Sequence, residues 1–276
     1  MGGKGRLGFE LRYIGLRVDF HSVEENLRQS FRIFAACRQS GEVREARGVT
    51  IASAGVSFQM FNAAFLSAPV VSEMQMESRI ATARVHFDAR GLGWAYWICE
   101  DWLDAKVRRR SDDILRKHRL YLAAEMPGMA AQGLMTPTRA LPKMEVRQVR
   151  DLQTEKAFCD IGALCFNVPP QWFREIFEDS HVWASGFDGY VGFLDGEPVC
   201  TAATVIGAGV VGVYNVATVP AYQRRGFGEA MMRYALGRAR EQSGLERTVL
   251  QSTPLGFDLY RRMGYSVVTN LLVYNS

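Results

Sequence analysis

Apolar residues recur along this chain with two periods, and the switches between them mark out the elements. From Ser72 to Arg90, Met76, Ile80, Ala83 and Phe87 fall at helical spacing, which predicts a helix with one buried face. The same period runs through Leu27, Phe31 and Phe34 to Gly41, with Ser22 as the expected N-cap and Glu25 three residues on. Residues 1 to about 20 carry no clear period and read as a tail or a lead-in strand. Val49–Ile51, Val56–Phe61, Gly93–Ile98 and Leu120–Ala124 read as strands, and Asp112 or Asp113 as the cap of a helix through Leu115 and His118. Gln132 to Lys143, with Gly133, Pro137 and Pro142, reads as a connection.

A second unit begins with a strand at Met144–Val149. Asp151 is placed to cap a helix through Phe158, Ile161 and Leu164, and Pro169-Pro170 to open another that ends at Phe177. Asp195-Gly196 between Tyr190–Leu194 and Pro198–Ile206 is a hairpin signal. Gly207-Ala-Gly209 then turns into a strand rich in β-branched residues, Val213 to Val219, which Pro220 stops because it has no N–H to donate. Gln223-Arg-Arg-Gly-Phe-Gly228 makes a short loop before a helix over Ala230–Arg240, on which Phe227, Met231, Tyr234 and Ala235 share one face. Strand Thr248–Gln251, helix Leu255–Met263, and strands Tyr265–Val268 and Leu271–Tyr274 complete the chain.

The stretch from Val213 to Glu229 carries the chemistry. A strand, a glycine-containing loop and a helix N-terminus present unpaired N–H groups and the positive end of a helix dipole, which suits a diphosphate. This segment resembles the acyl-CoA-binding core of the GNAT superfamily of N-acetyltransferases, with its Gln/Arg-x-x-Gly-x-Gly/Ala signature after a Val-rich strand. Gln223, Gly226 and Gly228 match in order, behind Val216-Ala-Thr-Val-Pro220. The element order β-α-α-β-β-β-α-β-α-β over 144–276 is the order of that family. Residues 1–143, through Phe61-Asn62, Gly91-Leu-Gly-Trp-Ala-Tyr-Trp-Ile98 and Pro127-Gly-Met129, look like the first half of bacterial two-lobed members. That lobe is degenerate in such proteins, and no Gln/Arg-x-x-Gly-x-Gly occurs before Gln223. The expectation is an α/β fold with a mixed sheet: two tandem GNAT-like lobes, 1–143 degenerate and 144–276 catalytic.

The resemblance implies acetyl-CoA as acyl donor and a primary amine as acceptor. It assigns the N–H groups of Arg224, Arg225, Gly226, Phe227, Gly228 and Glu229 to the pyrophosphate, and the backbone of Val216, Ala217 and Thr218 to the pantetheine. A backbone N–H near Val216 would polarise the thioester carbonyl as an oxyanion hole does. Tyr260, in Leu259-Tyr-Arg-Arg-Met-Gly-Tyr265, matches the tyrosine that gives a proton to the leaving thiolate. Where many members have Asn seven residues earlier, this chain has Thr253 with Ser252 beside it, so a hydroxyl would make that contact. Glu175, Glu178, Asp179 and His181 lie where the family often meets its acceptor, but no general base stands out.

Composition narrows the rest. Lys and Arg outnumber Asp and Glu 21 to 15 in residues 1–143, while residues 144–276 hold 12 against 14, too even a balance for a nucleic-acid footprint. Lys106-Val-Arg-Arg-Arg110, among four aspartates, reads as a solvated loop. The four histidines are scattered with no metal-binding spacing, so no metal is expected. Five cysteines without a Cys-x-x-Cys pair read as reduced thiols of a cytoplasmic protein, and no apolar run suits a membrane or a signal peptide. The slightly acidic second half favours a small cationic amine as acceptor. Nothing indicates an oligomer. A non-catalytic acyl-CoA sensor and a protein-directed acetyltransferase, which would need an open groove between the lobes, stand as alternatives.

Overall fold

The computed structural model describes residues 5–178 and 180–276, without the side chains of residues 5–19 and 180. The first half runs α1 (Gly5–Ala36), β1 (Glu42–Ala46), β2 (Val49–Ser53), β3 (Asn62–Leu66), α2 (Glu73–Asp88), β4 (Ala95–Cys99), α3 (Ala105–Lys117) and β5 (Tyr121–Ala131). The second runs β6 (Glu145–Gln148), α4 (Leu152–Phe166), α5 (Pro170–Phe177), α6 (Ser180–Ala184), β7 (Phe187–Leu194), β8 (Glu197–Gly207), β9 (Val210–Thr218), α7 (Phe227–Ser243), β10 (Thr248–Gln251), α8 (Pro254–Arg262) and β11 (Ser266–Asn275). All the strands join one mixed sheet in the order β1-β2-β3-β4-β11-β5-β10-β9-β8-β7-β6.

The sheet contains a repeat. Each half contains three consecutive antiparallel strands (β1–β3, and β7–β9 with β6 added at the edge), a helix, a strand parallel to the last of them (β4 to β3, β10 to β9), a helix and a final strand. The final strands are exchanged. β5, from the first half, lies between β10 and β11, and β11, from the second, lies between β4 and β5. Each half thus completes the sheet of the other.

α1 ties the halves together from one face. Phe31 packs on Phe65 and Trp97 of the first half, with ring centroids 5.1 and 5.2 Å away. One turn on, Phe34 packs on Phe177 and Phe187 of the second, at 5.4 and 4.9 Å. These rings belong to one core cluster drawn from both halves. The helical period at Leu27, Phe31 and Phe34 marks this buried face, but the helix begins at Gly5, so Ser22 lies inside it and not at its cap.

Four other expectations need correction. Val56–Phe61 is loop and a single 3-10 turn, and the strand is the next five residues, all buried. The basic run 106–110 is helical: Asp104, not Asp112, caps α3 by accepting from Lys106 N at 2.9 Å. Val107, Ser111, Ile114 and Leu115 are its buried stripe, while Arg108 and Arg110 reach Glu100 and Glu73. β5 continues through Pro127-Gly128, where the Pro127 carbonyl accepts from Ser252 N at 2.9 Å and a Cβ on Gly128 would overlap Thr269 and Val23. The two terminal strand segments are one strand, β11, with a register shift between Val267 and Thr269. β1 has no expectation behind it, because Glu-Val-Arg-Glu-Ala lacks an apolar alternation; Arg47 and Gly48, at φ 48° and 81°, turn it into β2.

A candidate active site at the end of β9

β9 and β10 are parallel but pair only at Val211↔Thr248 and Gly212↔Val249. Beyond Gly212, β9 keeps β8 on one side and leaves its other edge open. A bulge at Asn215 turns the strand further: Tyr214 faces Ala203 and Ala217 faces Thr201, so two residues of β9 oppose one of β8. Asn215 takes the left-handed conformation (φ 50°), and its carbonyl accepts from Thr201 Oγ1 at 2.8 Å. The corresponding opening in the first half is shut. After β3 and β4, Val70 bridges Leu103, its N–H reaching Trp102 O at 2.7 Å and its carbonyl accepting from Asp104 N at 2.9 Å. Arg79 caps the carbonyls of Ala68 and Pro69 there.

At the open end, a 3-10 turn over Pro220–Tyr222 leads into the loop and then α7. Arg224 (φ 62°) and Gly226 (φ 98°), the latter at the N-cap position, bend the backbone so that the chain enters α7 directly. Among the described residues, no acceptor occupies the N–H groups of Arg224 to Glu229, while Ala230 N reaches Gly226 O at 3.0 Å. These are the orphan donors of a helix start and the loop before it. Gln223 donates to Thr218 O at 3.0 Å and fixes the loop to the strand end. Arg225 lies over Tyr222 and Phe227, 5.2 and 5.5 Å from their ring centroids. The Glu229 side chain is buried and pairs with Arg233 at 2.7 Å, so only its N–H faces the loop. A Cβ on Gly228 would sit 3.3 Å from Thr218 Oγ1 and 3.7 Å from Leu259 Cδ2, so glycine leaves the space between strand end and helix. An open strand edge, a row of free N–H groups and two unpaired arginines fit the diphosphate and amides of an acyl-CoA.

Phe227, Met231 and Ala235 are buried as their spacing predicts, whereas Tyr234 is 40% exposed and stands off that face. Tyr260 on α8 is buried in the cluster that also holds Val211, Val213 and Leu250, with Val216 packed against it. Burial pushes its phenol up to about 12. Its ring meets Tyr265 edge-on at 6.1 Å, and no partner among the described residues engages its hydroxyl. Ser252 is fully buried and donates to Thr253 O at 2.9 Å, while Thr253 is exposed at the start of α8 with no capping bond. Of the two hydroxyls, that of Thr253 is the available one.

The acceptor candidates are elsewhere. Glu175 accepts from Ser57 N at 3.0 Å and joins the halves, and Glu178 pairs with Arg174 at 3.3 Å. His181 lines an open cleft of about 580 Å³ with Gln29, Arg32, Cys37 and Ser185. Gln29 abuts Gly207, the last residue of β8, which pairs with Val210 at the start of β9, so the cleft is about a strand length (roughly 26 Å) from the loop. Asp179 lies outside the described residues. Sequence reasoning missed Arg139 and Pro142, which touch the loop from the connection between halves; no spacing signals them. Among the described residues no helix is long and apolar enough to cross a membrane, and no group of three His, Cys, Asp or Glu could hold a metal ion.

Residues 178–267, which take in the opening, the loop and Tyr260, match the family model of the acetyltransferase (GNAT) domain. Over those residues the chain is similar to a GNAT acetyltransferase domain. Its whole architecture resembles a GCN5-related N-acetyltransferase from Kribbella flavida, at 20% identity over 85% of this chain and 89% of that one, with a TM-score of 0.65. A functionally unknown conserved protein from Staphylococcus epidermidis aligns at 11% identity over 84% of this chain and 92% of that one, TM-score 0.62. A GCN5-related N-acetyltransferase from Sphaerobacter thermophilus aligns at 14% over 83% and 76%, TM-score 0.54. No curated protein matches the chain.

Proposed function

We propose that the chain transfers an acetyl group from acetyl-CoA directly to a primary amine of a small molecule, with 144–276 as the catalytic lobe and 1–143 as a degenerate one. The observation that carries this is the open edge of β9 ending beside the unpaired N–H groups of Arg224–Glu229. That edge would hydrogen-bond the pantetheine amides as an added strand does, and the loop would hold the pyrophosphate. The thioester supplies the activated acetyl group. A backbone N–H at the Asn215–Val216 bulge would donate to its carbonyl oxygen as the amine adds. The C–S bond then breaks, and Tyr260, held protonated by burial, gives its proton to the departing sulfur, while the nitrogen releases its proton to water, from which the phenol is restored.

The shut opening after β3 and β4 supports a first half without a donor site of its own. The position of α1 supports a small acceptor. Its aromatic face fills the space between the halves, where a protein-directed enzyme would want a groove. The test is calorimetry with acetyl-CoA, followed by a thiol-release screen of amines, amino acids and aminoglycosides. Binding with turnover of a small amine is expected. Binding without product across the panel would favour an acyl-CoA sensor, turnover only with peptides would favour a protein-directed enzyme, and absence of binding would overturn the reading.

A further inference from the structure

The connection between the halves is seated firmly against the second half, next to the loop. Met135 N reaches Met263 O at 3.0 Å, and Arg233 reaches Met135 O at 2.6 Å. Further along, Pro142 packs on Gly226, where a Cβ would sit 3.0 Å from Pro142 Cδ. Between these anchors Arg139 Nη1 donates to Arg224 O at 3.2 Å, and its Nη2 and Nε lie 3.5 and 3.7 Å from the Cβ position of Gly226. The guanidinium therefore lies across the backbone of the loop, not out along the connection.

Arg139, Arg224 and Arg225 form a cationic group with no carboxylate partner among the described residues. Several arginines elsewhere are paired: Arg28, Arg90, Arg108, Arg147 and Arg233 all meet a glutamate. The nearest acid in sequence, Glu229, is already taken by Arg233. Like charges gathered on one loop repel, and the orphan N–H groups and helix dipole add to the positive potential. An anion relieves all three at once.

We infer that Arg139 is a donor-binding residue: a third cation, supplied by the connection between the halves, that binds a phosphate group of the acyl-CoA. The inference rests on the reading of the loop as the donor site. Its guanidinium keeps donors free after the bond to Arg224 O, which suits a phosphoryl oxygen. Two phosphate groups of the donor offer that chemistry, the pyrophosphate and the ribose 3′-phosphate.

Calorimetry of the full chain with coenzyme A and with 3′-dephospho-coenzyme A, at two salt concentrations, tests it. Arg139→Gln retains a donor for Arg224 O and removes the charge, so a purely structural role would survive it. The expected result is a loss of coenzyme A affinity of about tenfold or more, with a shallower salt dependence. Arg139→Lys is expected to recover part of that loss. If only coenzyme A is weakened, Arg139 holds the 3′-phosphate; if both ligands are weakened alike, it holds the pyrophosphate. Wild-type affinity and salt slope in Arg139→Gln would overturn the inference. Failure of the wild-type chain to bind either ligand would overturn the donor-site reading beneath it.

Discussion

The Tyr214 hydroxyl donates to Asn26 Oδ1 at 2.6 Å, joining the first helix to the strand whose far end forms the site. The same Asn26 donates to the carbonyls of Val205 and Gly207 at 3.1 and 3.0 Å, and it is completely buried. Its amide thus bonds both edges of the β8–β9 hairpin. A Cβ at Gly212 would overlap Asn26 Oδ1, so the strand lies close enough to need glycine there. Asn26→Ala removes the donor to the carbonyls of Val205 and Gly207 and the acceptor of the Tyr214 phenol. It is expected to lower stability by about 2–4 kcal/mol, and Tyr214→Phe by about 1–3 kcal/mol. Urea unfolding of both variants checks this; equal midpoints to wild type would remove the bond from any account of the fold.

Tyr260 carries the proton in the proposed reaction, and its hydroxyl has no internal partner to lose. Tyr260→Phe is expected to lower kcat by about 10²-fold or more while the acetyl-CoA dissociation constant stays within about twofold. Burial also sets the alkaline behaviour. The phenol is pushed up from 10 to about 12, so a rate that needs it protonated falls as pH rises through about 12, well above an ordinary tyrosine. Stopped-flow turnover across that range would show a limb near pH 10 if the phenol were solvated or the wrong group had been assigned.

Local signals in the sequence were enough for most of the second half, though not for the continuity of β11. Asp151 accepts from Thr154 N at 2.8 Å within a capping box, Asp195 and Gly196 turn the hairpin at φ 52° and 84°, and the loop between β9 and α7 stands where its residues put it. These features are set by neighbours a few positions apart. The first half was harder because its decisive contacts are distant. Gly128 lies beyond the strand expected at Leu120–Ala124, yet it is needed where Thr269 and Val23 close in from elsewhere in the chain. The exchange of β5 and β11 leaves no local trace at all, since the strands that pair with each of them come from distant parts of the chain. Arg139 was illegible for the same reason: its role depends on where a connection lies, not on its spacing.

That exchange makes the halves interdependent. Without residues 1–143, β10 loses Gly128–Ala131 as a partner and β11 loses both β4 and β5. Residues 144–276 produced alone are expected to aggregate or to melt without a cooperative transition, because an unpaired β11 exposes Leu271, Val273 and Tyr274, which are buried in the whole chain. Supplying residues 1–143 from a second plasmid should restore a soluble complex. Circular dichroism melting and gel filtration decide it: a monomeric, cooperatively melting 144–276 would mean that β11 can pair within its own half.

A buried carboxylate on α1 should make the stability of that joint core depend on pH. Glu24 is 2% exposed and lies 2.8 Å from Arg28 Nε. Burial raises its pKa from 4.5 to about 7, against the opposing pull of Arg28. With the folded value above the unfolded one, the folded state holds the proton more tightly. The contribution is therefore complete below about pH 4.5 and is lost as pH rises through about 7. A shift of this size corresponds to about 3 kcal/mol. Glu24→Gln keeps the shape and removes the titration, so the stability difference between wild type and variant should move in favour of the variant between pH 4.5 and 8. Other titrating groups are common to both chains and cancel in that difference. Parallel stability curves across the range would show that Glu24 is ionised in the folded chain throughout, with its pairing to Arg28 outweighing the cost of burial.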